Sequence, residues 1–127
     1  MLLAVALAAA GCAPAGDETA VRATTNRFFA ALASGDGQAA CAELSTDTRS
    51  KLESQEGRPC RQAIGDVGLK PAAVTQVHVY IVDAVAELAD GDAAFLGHEP
   101  DGWRLSAVGC SRETQRVERP YDCDVED

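Results

Sequence analysis

Apolar residues fall into three regimes along this chain. They are continuous from Leu2 to Ala10, recur every third or fourth residue from Val21 to Leu32, and alternate beyond Val77. The second regime predicts a helix over about 18–34, because Val21, Thr25, Phe28, Phe29 and Leu32 share one helical face. The two phenylalanines on that stripe read as core rather than as cofactor contacts. Ser34-Gly35-Asp36-Gly37 ends the helix, and Asp36 is placed to cap the next one. A short helix over Gln38–Leu44 carries Cys41. Ser45 or Thr46 then caps a helix running to about Glu53. Glu56-Gly57-Arg58-Pro59 is a turn, with Pro59 suited to the first position of a helix from Cys60 to about Val67.

The period changes to two after Pro71. Val77, Val79 and Ile81 alternate with His78, Tyr80 and Val82, which predicts a strand with a Val77/Val79/Ile81 core face. Residues 84–88 form a second strand and 93–98 a third, joined by Ala89-Asp90-Gly91-Asp92, whose Asp-Gly centre favours a tight hairpin. Pro100-Asp101-Gly102 leads into a fourth strand, 103–110, with Trp103, Leu105 and Ala107 on one side and Arg104, Ser106 and Val108 on the other. Helices first and a meander of about four strands after them define an α+β domain, helices packed on one face of a curved antiparallel sheet.

The continuous run has a different meaning. Leu2 to Ala10 is too short to span a bilayer and has the length of a signal-peptide core. It ends in Ala9-Ala10-Gly11-Cys12, small residues and then a thiol. This resembles the lipobox of bacterial lipoproteins, although Ala9 stands where leucine is favoured. The resemblance implies a signal peptide over 1–11, a diacylglycerol thioether on Cys12, and an acylated tether over 12–17. No Lys or Arg follows Met1, where a signal peptide carries a basic start, so the true initiator is expected upstream. The compartment expected is the outer face of the cell membrane. Two or three acyl chains, at about 0.8 kcal/mol per buried methylene, hold where one chain does not.

The 127 residues carry a net charge of −9, which disfavours nucleic acid and anionic lipid as partners. The acyl anchor would then supply the membrane affinity. Arginine and alanine are favoured over lysine and asparagine, a bias of GC-rich bacterial coding. Five cysteines are present, and Cys12 accounts for the odd one. Outside the cytoplasm the remaining Cys41, Cys60, Cys110 and Cys123 read as two disulfides. Three connectivities are open. Cys41–Cys60 and Cys110–Cys123 are expected, since each pair is close in sequence and lies within one structural half. No Cys-x-x-Cys pair and no histidine beside a cysteine favours zinc instead. The segment 111–127 is then an acidic tail pinned by Cys110, beyond a helices-plus-meander domain over 18–110.

Phe28-Phe29, Ser34-Gly35-Asp36, Ala40-Cys41-Ala42-Glu43-Leu44, Cys60, Gly102-Trp103-Arg104-Leu105, Gly109-Cys110 and Tyr121-Asp122-Cys123 come in an order with a precedent. Together they resemble small secreted lipoproteins of actinobacteria. Their fold is similar to the cystatin-like, cone-shaped nuclear-transport-factor-two-like superfamily, which includes SnoaL-type cyclases and ketosteroid isomerases. The resemblance implies helices closing over a strongly curved sheet around a cone-shaped cavity. It assigns no activity to the lipoprotein branch, and no catalytic position of the cyclases or isomerases is matched.

The residues offer few candidates for chemistry. His78 and Tyr80 share a strand face, with Asp83 and His98 near in sequence, and a His–carboxylate pair can do acid–base work. The competing reading is a solvated polar face. Trp103 suits either a cone mouth or the helix-to-sheet seam. His78, Tyr80, His98 and Trp103 are therefore the residues expected to line a pocket, if one exists. Ser106 and Ser111 lack a nucleophile-elbow context. Asp90, Asp92, Asp122, Asp124, Glu126 and Asp127 lack calcium-loop spacing and read as a solvated acidic face. The expectation is a non-catalytic, membrane-anchored envelope domain without cofactor or metal. It would bind a small apolar ligand or an envelope protein. An isomerase- or cyclase-type enzyme and a structural dimerisation module are the alternatives.

Overall fold

A computed structural model describes residues 14–112 and 120–127. The expected signal peptide, Cys12 and residues 113–119 lie outside the described residues. The first helix, α1, spans Pro14–Ala33 and so begins four residues before the apolar stripe predicts. Proline is tolerated in a first turn, where its missing N–H has no partner to lose, and Asp17 adds a favourable charge there. Most of the stretch expected as tether is therefore helix.

Three short helices follow. α2 covers Gly37–Ala42, with the Ala39 N–H donating to Asp36 Oδ1 at 3.0 Å. α3 covers Thr46–Glu56, with the Thr48 N–H donating to Ser45 Oγ at 3.1 Å. α4 covers only Cys60–Ala63 and continues as a 3-10 turn over Ile64–Asp66. Pro59 stands just before α4 rather than within it, and Glu53 instead receives the Cys60 N–H at 3.0 Å. Helices this short are not stable alone. The Cys41–Cys60 disulfide joins α2 to α4 across a separation of 19 residues. In the chain-entropy account, closing such a loop contributes about 3 kcal/mol.

The sheet has five strands in the order β1-β2-β3-β4-β5, all antiparallel and not closed on itself. They span Val74–Val79, Asp83–Leu88, Ala93–Glu99, Gly102–Arg112 and Tyr121–Glu126. β5 corrects the expected count of about four. The tail is a strand whose Tyr121, Cys123 and Val125 keep period two between acidic neighbours. Cys110 and Cys123 are paired in register and bonded to each other. Both disulfides thus join the expected neighbours.

The core lies between the helices and one sheet face. Val21, Phe28, Ile64, Leu96, Leu105 and Val108 are all at most 1% exposed and fill that space. Phe28 and Phe29 meet edge to face at 5.3 Å. Small residues on β2, Ala84 and Ala86, leave room for α1 against that strand. Strand irregularities bend the sheet. β4 has one residue more than β3 between the Leu105 and Ala107 pairings, and another between Ala107 and Cys110, where Gly109 takes φ +66°. Such bulges increase twist and re-aim side chains. Simple alternation therefore fails at this point: Val108 enters the main core, whereas Ala107 lies on the opposite face beside Phe95 and Tyr121. β1 carries a further irregularity between Val74 and Gln76.

Where β5 ends, the helical layer takes over the edge of β4. The Ser45 N–H donates to the Leu105 carbonyl at 2.8 Å, and the Leu105 N–H donates to the Glu43 carbonyl at 2.9 Å. Thr48 Oγ1 donates to the Ser106 carbonyl at 2.9 Å. Beyond β5 the edge of β4 is thereby paired at Leu105 and Ser106, which leaves less of it open to unwanted strand addition.

Candidate functional site

Among the described residues, the four expected to line a pocket come to one end of the sheet, and only one of them is buried. His78 lies on the outer face, opposite Val85 in register, and its Nε2 stands 3.6 Å from Glu87 Oε1. Both side chains are more than 40% exposed, so water competes for each. Tyr80 lies beyond the end of β1 and is 62% exposed. His98 is exposed and meets Trp103 edge to face at 5.0 Å. Only Trp103 is buried, at 3%. Asp83 opens β2 in solvent.

Trp103 is the centre of a well-tied cluster at this end of the sheet. Its indole N–H donates to Asp17 Oδ1 in the first turn of α1 at 3.2 Å. Its carbonyl accepts from Thr24 Oγ1 at 3.4 Å and from Arg104 at 2.9 Å. Arg27 reaches Thr24 at 3.2 Å and grips both Glu43 oxygens, at 2.8 and 3.2 Å. The Glu43 hydrogen bond raises the Arg27 guanidinium further above its already high range. These groups join α1, the α2 terminus and the start of β4. They do structural work and are not free for chemistry.

The turn beside this cluster is the unexpected feature. Ile81 was expected on the core face of a strand, but β1 ends at Val79 and Ile81 is 97% exposed. The Tyr80 N–H donates to the Asp83 carbonyl at 2.7 Å, closing a tight reversal over Tyr80-Ile81-Val82. Period two continues through the sequence where the strand itself has stopped. Tyr80, Ile81 and Val82 are 62, 97 and 56% exposed, and they are the large exposed hydrophobic side chains among the described residues. The sequence signal that would have found them is the run itself, three large apolar residues directly before Asp83.

Among the described residues, depressions of the surface lie elsewhere. One of about 450 Å³ lies over the Cys41–Cys60 bond between Arg49, Glu53 and Arg61. A second, about 460 Å³, lies on the outer sheet face, lined by Phe95, Ala107, Pro120 and Tyr121. The third, about 210 Å³, lies at the β2–β3 end between Phe29, Leu69, Lys70, Asp92 and Asp124. There burial pushes the Asp92 carboxyl above the usual carboxylate range. Asp90 and Asp124 add to the rise, and Lys70 opposes it. None of the three is lined by His78, Tyr80, His98 or Trp103.

Comparison with protein-family models, with curated proteins and with solved structures found no match to this chain.

Proposed function

We propose that this chain is a lipid-anchored domain on the outer face of a bacterial cell membrane. It acts without catalysis, through contact with an envelope protein. The observation that carries the reading is the use of the five cysteines. Four are spent on two disulfides, as an oxidising compartment favours. The fifth, Cys12, follows the apolar run and small residues of a lipobox-like signal.

The bent sheet under a helical layer is in keeping with the cone-shaped fold of the actinobacterial lipoproteins that the sequence resembles. In this chain the space beneath the helices is occupied by Phe28, Ile64, Leu96 and Leu105. That favours a protein partner over a small apolar ligand enclosed in the cone. The outer-face depression beside Phe95 and Tyr121 is the place where a small apolar ligand would bind instead. An isomerase-type site needs its acid–base pair shielded from water, and the His78–Glu87 pair is solvated on the far face of the sheet.

The test is the chemistry of Cys12 in the chain exported by a GC-rich bacterial host. Mass spectrometry of the mature N-terminal peptide is expected to find Cys12 first in the chain and carrying diacylglycerol. Labelled palmitate should enter the wild type and not the Cys12→Ser variant. An unmodified Cys12 within a longer N-terminal peptide would overturn the anchor.

A further inference from the structure

We infer that the Tyr80-Ile81-Val82 turn dips into the interfacial layer of the same bilayer that holds the anchor, and so fixes which end of the domain faces the membrane. The proposal rests on the lipid anchor proposed above.

Isolated exposed hydrophobic side chains are ordinary, but a contiguous cluster marks an interaction site. Among the described residues the exposed large hydrophobic side chains are consecutive in one turn, and the most exposed of them is isoleucine. Tyrosine beside aliphatic residues suits an interface that is apolar on one side and wet on the other.

The start of α1 lies at the same end as the turn. The His98 N–H donates to the Val82 carbonyl at 2.8 Å. The His98 ring lies against Trp103, and Trp103 donates to Asp17 in the first turn of α1. The turn and the start of α1 are thus linked through two residues and belong to the same end of the molecule. α1 begins at Pro14, two residues after Cys12. Two residues at full extension reach only about 7 Å. An acyl group on Cys12 would therefore hold this end of the domain against the bilayer, and the apolar turn would meet it there. A partner elsewhere in the envelope would have to compete with that placement.

The charge near the turn selects the lipid. Asp83 follows the turn directly, Glu99 follows His98, whose N–H donates to Val82, and Asp101 is paired with Arg104. No cationic side chain stands within the turn itself. Contact driven by apolar burial, rather than by attraction to anionic headgroups, is the expected mode. Phosphatidylcholine is accordingly the probe.

The experiment uses the full acylated chain reconstituted into phosphatidylcholine vesicles with brominated acyl chains. Ile81→Trp places a reporter at the turn and Ala89→Trp one at the opposite end of β2, each read as the difference in emission from the parent chain, whose Trp103 is common to both. Both positions are exposed, so both variants should fold, which circular dichroism checks. Interfacial elements sit about 5–10 Å into the headgroup and acyl boundary, and the Ile81→Trp indole should lose roughly half its emission to the bromines. The Ala89→Trp indole should lose none. If the chain floats with the vesicles but the Ile81→Trp emission is unquenched, the anchor stands and the turn proposal falls. If the chain carries no acyl group and does not float, the anchor reading has failed and the turn proposal falls with it. Concentration-dependent dimerisation that Ile81→Asp abolishes, with no quenching, would assign the turn to a second copy and overturn the proposal.

Discussion

β2 is bounded by two reversals of the chain, and they are built from opposite chemistry. At its far end Ala89-Asp90-Gly91-Asp92 does what a turn requires. Gly91 adopts φ +91°, and the Asp92 N–H donates to Asp90 Oδ1 at 3.0 Å. Each residue there has a local job that its type explains. At the near end Tyr80-Ile81-Val82 reverses the chain with three large apolar side chains, none of which the turn geometry needs. Leaving one such side chain in water forgoes about 1.5–3 kcal/mol of burial. The first turn is explained by the fold; the geometry of the second does not call for its side chains, and the proposed membrane contact would account for them. The acidic end carries Asp90, Asp92 and Asp124 and would point away from the membrane in the proposed orientation.

The near end depends most on Trp103. Trp103→Ala is expected to cost about 3–5 kcal/mol, the range for truncating a buried aromatic residue. It also strands Asp17 and loosens the start of α1. Urea unfolding measures it, and a cost near zero would mean that the cluster behind the turn does not hold the turn in place. At the far end Gly91→Ala should cost about 1–2 kcal/mol, because an L side chain is strained in the left-handed region. No loss there would remove the claim that this turn is dictated by backbone geometry.

Asp92 gives a smaller effect with a definite sign. Its carboxyl is raised above its unfolded value by burial and by Asp90 and Asp124. The folded state therefore binds this proton more readily, and ionisation at neutral pH is destabilising. Stability contributed by Asp92 rises as pH falls through the folded pKa and is fully gained below the unfolded one. Asp92→Asn should stabilise the domain at pH 7 and lose that advantage in acid. Equal effects at both values would deny the raised carboxyl. Smallest of all, Ile81→Asp should change unfolding free energy by no more than about 0.5 kcal/mol, as exposed positions do. A larger loss would show the turn to be part of the fold after all.

The sequence made the helical half legible because its cues are local. Asp36 and Ser45 cap the helices they were expected to cap, and Cys41 finds Cys60 across one short loop. The sheet was legible in order but not in detail. Alternation shows that a segment is extended; it does not show where pairing stops, so Ile81 read as core although the strand ends at Val79. The bulges of β4 depend on pairing with β3, which no single strand encodes, and they carry Val108 into the core against simple alternation. β5 was hidden by its acidic residues, although Tyr121, Cys123 and Val125 kept the period. Of the residues expected to line a pocket, the sequence leaves Trp103 open between a cone mouth and the helix-to-sheet seam, and it is buried in the core beside α1. His78 and Tyr80 diverge because the chain leaves the sheet between them.

The chain has two tyrosines, and they stand toward opposite ends of the sheet. Tyr80 is in the apolar turn, whereas Tyr121 pairs with Arg112 and packs on Phe95 at 5.0 Å. Hydroxyl-radical footprinting of the native acylated chain on phosphatidylcholine vesicles, set against the non-acylated chain in solution, compares the two ends directly. In solution Tyr80 should oxidise faster, since Tyr121 is half-buried. On the vesicle the oxidation of Tyr80 should fall several-fold while that of Tyr121 stays unchanged. An unchanged Tyr80, or protection of Tyr121 in its place, would contradict the orientation that the turn and the anchor together define.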